Sequence, residues 1–128
     1  MKASLSRLRS KLEEVQHTVE GSRLSWARES AFDFAERLGH VLDLFEEIDA
    51  FILKRHADPA SIEPLRALMS DQLGRINELL ELELAPALAA EDRAAAMPVV
   101  AALDTAIAHT EETWSAIQTA ARGSLRRP

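Results

Sequence analysis

The sequence contains no cysteine, which excludes a disulfide framework, a thiol nucleophile and a cysteine-based metal site. It has no tyrosine, and four glycines and five prolines in 128 residues leave little room for a turn-rich β protein. No run approaches the roughly 18 apolar residues of a membrane span, and the start lacks the apolar core of a signal peptide. We therefore expect a cytoplasmic protein without a membrane partner.

Positive charge is also scarce, with 15 Lys and Arg against 21 Asp and Glu, for a net charge of −6. A nucleic-acid-binding protein needs a basic surface, so we expect no nucleic-acid partner. Residues 1–23 carry +2, whereas residues 24–58 and 59–97 carry −4 each. We interpret the acidic middle as a solvated surface, and attraction of a basic partner is the alternative.

Apolar residues at helical spacing are abundant, and the longest stripe predicts a central second helix over Leu24–Leu53. Its steps of three and four residues are typical of one buried helix face. Further leucines and phenylalanines widen the apolar arc to roughly 200° in the second half of the helix, at ~100° per residue. The residues of the main stripe are Leu24, Ala27, Ala31, Phe34, Leu38, Val41, Phe45, Ile48 and Ile52.

Three more amphipathic segments accompany it. The first helix is predicted from about Ser4 to Glu20, and Gly21 marks either a turn or a kink before the central helix. The third begins near Pro59 and ends or kinks at Pro86, where an Ala-rich connector reaches Met97. Pro98 opens the fourth, with a seam at Val100, Leu103, Ile107, Thr110, Trp114, Ile117 and Ala121.

This pattern predicts an all-α protein, an antiparallel four-helix bundle with a long central second helix. Residues 1–122 are predicted to form its single domain, and residues 123–128 are predicted to form a flexible C-terminal tail that begins at Gly123. Because the short first helix cannot cover the wide apolar arc, Leu44, Phe51 and Leu53 are predicted to form a protein interface. Two-fold self-association is the commonest use of such a patch, so we expect a homodimer or a complex with another helix.

Two acidic patterns could in principle hold a metal ion, but we interpret both as solvated surface. One is a stripe on the central helix that includes Glu36 and His40, and it faces away from the apolar stripe. The other resembles the paired acidic motifs by which all-helical nucleotide pyrophosphohydrolases hold magnesium. We therefore expect no metal and no cofactor. The residues concerned are Asp33, Glu36, His40, Asp43 and Glu47 in the stripe, and Glu46, Asp49, Glu78 and Glu81 in the pairs.

The segment from His17 to Ser22, HTVEGS, resembles the His-x-hydrophobic-Lys-Gly-Ser signature of histidine phosphotransfer (HPt) domains. HPt domains are four-helix bundles, and Trp26 and Ala27 match a hydrophobic and a small position that follow their signature. The resemblance implies that His17 is a phospho-acceptor and that Gly21 grants access to it. Glu20 stands where the family has Lys or Arg, whose positive charge offsets that of the phosphate.

The leading hypothesis is a non-catalytic helical-bundle protein that acts through protein–protein contacts, as an adaptor, a chaperone-like protein or a self-associating module. The alternative is an HPt-like phosphotransfer protein that uses His17. A metal-dependent nucleotide hydrolase is the third hypothesis.

Overall fold

The computed structural model describes residues 2–53 and 59–125, with side-chain burial defined for residues 3–50 and 63–120. Helix α1 spans Lys2–Glu20, α2 spans Arg28–Leu53 and α3 spans Pro59–Leu79. A π-helical turn at Leu80–Leu84 and the short helix α4, Ala85–Ala89, follow α3, and α5 spans Arg93–Leu125. Within these ranges there is no β-strand. The prediction of an all-α bundle is confirmed.

Helices α1 and α2 bury the stripes predicted for them. The α1 leucines and valines at positions 5, 8, 12, 15 and 19 are all buried, as are the residues of the central stripe from Leu24 to Ile48. Helix α2 packs against α1, α3, the π-helical turn and α5, so it has the most neighbours among the described elements. Ile52 lies outside the residues whose side chains are described.

The central helix begins at Arg28, four residues later than the predicted Leu24. Leu24 and Ala27 are nevertheless buried, in the loop that precedes the helix. Ala27 provides the carbonyl that accepts the first helical hydrogen bond, from the N–H of Ala31 at 2.8 Å. Ser22 does not cap this helix; its hydroxyl donates to the carbonyl of Val19 at 2.6 Å, at the end of α1. Gly21 therefore marks a turn and not a kink.

Pro86 lies in the first turn of the short helix α4, and the helical path of the chain continues past it. A proline inside a helix lacks an N–H and crowds the carbonyl four residues earlier. A π-helical turn stands directly before this proline's helix, and in it the N–H of Ala85 bonds to the carbonyl of Leu80, five residues back. The chain thus stays helical from Pro59 to Ala89, into the first part of the Ala-rich connector.

Helix α5 is longer than predicted at both ends. It begins at Arg93, where the carbonyl of Asp92 accepts the N–H groups of Ala95 and Ala96 at 3.1 and 2.9 Å. Pro98 lies inside the helix and does not open it. The helix also passes Gly123 and reaches Leu125, so residues 123–125 are helical and residues 126–128 lie outside the described part.

Two contacts between residues distant in sequence join the ends of these helices. Arg9, in the first half of α1, pairs with Glu46, in the second half of α2. Glu91, just before α5, binds the backbone just before α2. The antiparallel order itself stays a prediction. Among the described helices, none combines the length and the apolar character needed to cross a bilayer.

Candidate functional site

Helix α3 is the least buried of the long helices, and it forms one wall of the site. Among its apolar residues from 63 to 79, where side-chain burial is described, only Met69 and Ile76 are buried, while Leu65, Leu73 and Leu79 are half-buried. Helix α3 packs mainly on α2, whereas α5 packs mainly on α1. The two helices α3 and α5 therefore flank α2 without closing against each other along their length.

The π-helical turn changes which face of the chain is apolar in the turn itself and in α4, which continue the wall after α3. One extra residue in the turn shifts the helical register, so Leu84 and Leu88 face the core. Leu82, two residues before Leu84, is left 74% exposed. Leu80, at the start of the turn, is half-buried and packs against the core from the side that faces α5.

Helix α5 is rotated relative to the predicted seam, and this rotation forms the opposite wall. Its buried line consists mostly of small residues, which allows close packing against α1. Thr110 is accommodated there because its hydroxyl donates to the carbonyl of Ala106 at 2.7 Å. Of the predicted seam residues, Ile107 and Trp114 line a hollow shared with α3, and Val100 lines one shared with the π-helical turn and α4. The buried residues of α5 are Ala96, Val99, Leu103, Ala106, Thr110, Thr113 and Ile117.

Between these walls lies a long surface depression, which we call the α3–α5 groove. It consists of two hollows of about 450 and 590 Å³ that meet at Leu80 and Ile107, which line both. Phe34 and Leu38 of α2 form the floor of the larger hollow. From Val100 to Gln118 the α5 wall is roughly 27 Å long, at ~1.5 Å per residue.

Trp114 is the largest side chain of the groove, and it packs against a buried aromatic ring of α2. Its ring stacks on Phe45 of α2, with centroids 5.9 Å apart and an interplanar angle of 5°. Gly74 lies in the opposite wall, and a Cβ atom added to it would meet no other atom within 4 Å. The groove therefore has a rigid aromatic side and an open side that can accept further atoms.

The charged side chains that line the groove all carry the same sign. Glu81 comes from the π-helical turn, and Asp104 and Glu111 come from α5. Arg75 of α3 follows the groove residue Gly74 in the sequence, but it is paired with Asp71 at 3.2 Å and does not line the groove. An apolar channel with acidic edges is suited to bind an apolar surface that carries positive charges.

A second depression, the His17 cleft, lies between the end of α1 and the start of α5, with a volume of about 510 Å³. His17 is exposed, and its carbonyl accepts the N–H of Gly21 at 3.1 Å. Arg23 lines the same cleft, and Asp92 lies on the other side. The sequence alone did not place Arg23 beside His17.

The predicted interface is only partly described. Leu44 is half-buried and packs against the core. The side chains of Phe51 and Leu53 lie outside the described residues, so the interface that they were predicted to form with Leu44 stays a prediction.

The acidic patterns are engaged in ordinary surface contacts. Asp33 pairs with Arg37 at 3.4 Å, and Glu46 pairs with Arg9. Asp49 is buried and has an interaction partner, which the sequence did not indicate. Within the described residues no group of three or more His, Asp or Glu side chains is arranged to hold a metal ion.

Glu91 is a structural residue that the sequence analysis missed. Its carboxylate accepts hydrogen bonds from the N–H groups of Ser25, Trp26 and Ala27, at 3.0 Å for Ser25 and 3.1 Å for Ala27. Partial burial favours the neutral carboxyl, but these hydrogen bonds outweigh it and hold the pKa of Glu91 below its ordinary value. Because Glu91 lies 64–66 residues from its partners, no local sequence pattern indicates this contact.

Comparison with protein-family models, with curated proteins and with solved structures finds no match.

Proposed function

We propose that this protein is a non-catalytic binding protein that holds a helix of a partner in the α3–α5 groove. One observation carries the proposal. Helices α3 and α5 flank α2 and leave a channel between them, floored by Phe34 and Leu38 and walled by half-buried apolar residues. The proposal places the protein in the cytoplasm, with a protein as its partner.

The length and the lining of the groove support this proposal. A helix with its side chains is about 10–12 Å wide, and an amphipathic helix inserts one apolar face into such a channel. Leu73, Leu80, Ile107 and Trp114 are half-buried, so a bound helix would remove more of their surface from water. Each ~100 Å² of apolar surface buried in this way contributes roughly 2.5 kcal/mol before the entropic cost of association.

The test uses a synthetic helical peptide of roughly 18 residues. Its leucines are spaced three and four residues apart, with lysines on both sides of that stripe. The peptide carries a fluorescent label, so that its binding is measured by fluorescence anisotropy. The groove is blocked by Gly74→Leu, because the new side chain projects from the groove wall without a clash at Cβ. Gly39→Leu is the matched control: a Cβ added to Gly39 also meets no atom within 4 Å, and Gly39 does not line the groove. We expect the wild type and Gly39→Leu to bind the peptide and Gly74→Leu to lose binding. Equal binding by both variants would show that the peptide binds elsewhere.

A second function, HPt-like phosphotransfer, is favoured by the His17 cleft. The exposed His17 shares the cleft with Arg23, a cation that can serve in place of the basic residue that Glu20 replaces. In this reaction a nitrogen of the His17 ring attacks the phosphorus of acetyl phosphate, and acetate leaves.

The test of phosphotransfer is incubation with acetyl phosphate or with a phosphorylated response regulator, followed by detection of acid-labile phosphate on the protein. His17→Gln should abolish the label, and His40→Gln, which changes another exposed histidine, should retain it. Absence of label on the wild type would rule this function out.

A further inference from the structure

We infer that the occupant of the α3–α5 groove is a helix from another protein whose apolar stripe is flanked by lysine and arginine. This inference rests on the proposed function and adds the chemistry of the partner. It follows from the sign and placement of the charges along the groove.

The three acidic side chains lie where the edges of a bound helix would pass. Glu81 and Asp104 line the same hollow from opposite walls, one from the π-helical turn and one from α5. Glu111 lies seven residues after Asp104, two turns further along the same face of α5, and lines the other hollow. A helix in the groove would therefore have carboxylates on both sides at one end and on one side further along.

Carboxylates at a rim attract positive side chains and repel negative ones. Lys and Arg can extend from the edge of an apolar stripe and keep their charge at the rim, while their methylene groups cover apolar surface. An acidic helix would place like charges together, which is costly at an interface. The groove therefore discriminates by charge as well as by shape.

A second copy of this chain is a poor occupant. A two-fold pair that brings the two grooves together would bring two acidic rims together, with Glu81, Asp104 and Glu111 of each copy at the shared interface. The apolar stripe of the more basic helix, α1, is buried in its own core from Leu5 to Val19. A basic amphipathic helix must therefore come from another protein.

The experiment uses two further synthetic peptides that keep the leucine stripe of the lysine-flanked one but carry glutamines or glutamates in place of the lysines. Binding is followed by fluorescence anisotropy at about 50 mM and about 500 mM salt, because rim charges are screened at the higher concentration. We expect the lysine peptide to bind most tightly and the glutamate peptide least, with the difference reduced at high salt.

The groove carboxylates are then neutralised in the variant Glu81→Gln/Asp104→Asn/Glu111→Gln. Three exposed charge contacts should together account for about a tenfold loss of affinity for the lysine peptide. The control variant Glu36→Gln/Glu47→Gln/Glu83→Gln removes the same charge from exposed positions outside the groove and should bind like the wild type. Circular dichroism on both variants verifies that they are folded.

The outcomes separate the two proposals. If all three peptides bind with equal affinity and Gly74→Leu blocks them, the groove binds helices but the inference about charge is wrong. If none of the peptides binds, the proposed function itself fails. Equal losses in the groove variant and the control variant would mean that overall charge, and not the groove, attracts the peptide. Self-association that survives at high dilution and competes with the lysine peptide would make a second copy the occupant.

Discussion

Replacement of Phe45 by Ala should remove the aromatic ring stack between α2 and α5. Phe45 is 0% exposed, and its ring stacks on Trp114. Truncation of a buried Phe costs about 3–5 kcal/mol, which includes the cavity that is left. The lost ring pair contributes about 0.5–1.5 kcal/mol of that total.

This cost is a large fraction of the roughly 5–15 kcal/mol that stabilises a typical domain. With a melting entropy of ~2.1 cal/mol/K per residue, it lowers the Tm by roughly 10–20 °C. Urea and thermal unfolding followed by far-ultraviolet circular dichroism measure the change. The matched variant Asp43→Ala, at an exposed position of the same helix, should change the free energy of unfolding by no more than about 0.5 kcal/mol. Equal costs at the two positions would refute the assignment of helix faces.

The other predictions use the same unfolding measurements and one solution mass. Gly74→Ala should raise the free energy of unfolding by about 0.5–1 kcal/mol, because Ala has a higher helix propensity than Gly and the new methyl group meets no neighbour. A lower free energy of unfolding would mean that a close contact exists there. Glu91→Gln should lower the Tm at pH 7. The difference in Tm between wild type and variant should shrink as the pH falls through the lowered pKa of Glu91, since the ionised form stabilises the fold only above that range. A difference that grows in acid would contradict the role given to the carboxylate. If the protein is a homodimer, Phe51→Glu should halve the molar mass measured by light scattering with little loss of helix content. A wild type that is monomeric at high concentration would exclude the homodimer.

The fold was predictable because the buried stripes of α1 and α2 are purely local patterns. Val15 and Phe34 lie on apolar stripes whose spacing within one helix indicates the face that packs on other helices, and both are buried. The π-helical turn before Pro86 was not predictable, because the rule for proline considers only α-helical hydrogen bonds and no local sequence pattern indicates the wider turn.

The groove could not be predicted, because it depends on how two distant helices are oriented. Val100 and Trp114 are apolar at helical spacing, so they were assigned to the core. In the structure Ala106 and Thr113 take those places, since small residues let α5 approach α1 closely. Composition alone does not indicate which of two adjacent apolar stripes faces inward.

The two tryptophans allow the most direct test of the claim that the α3–α5 groove is a binding site. Trp114 lines the groove, whereas Trp26 is 74% exposed in the loop before α2 and does not line it. In a ¹H–¹⁵N spectrum each gives one indole signal, which can be followed while the lysine-flanked peptide is added. The account predicts that the Trp114 signal shifts and saturates while the Trp26 signal stays in place. A titration that moves only Trp26, or neither signal, would contradict it.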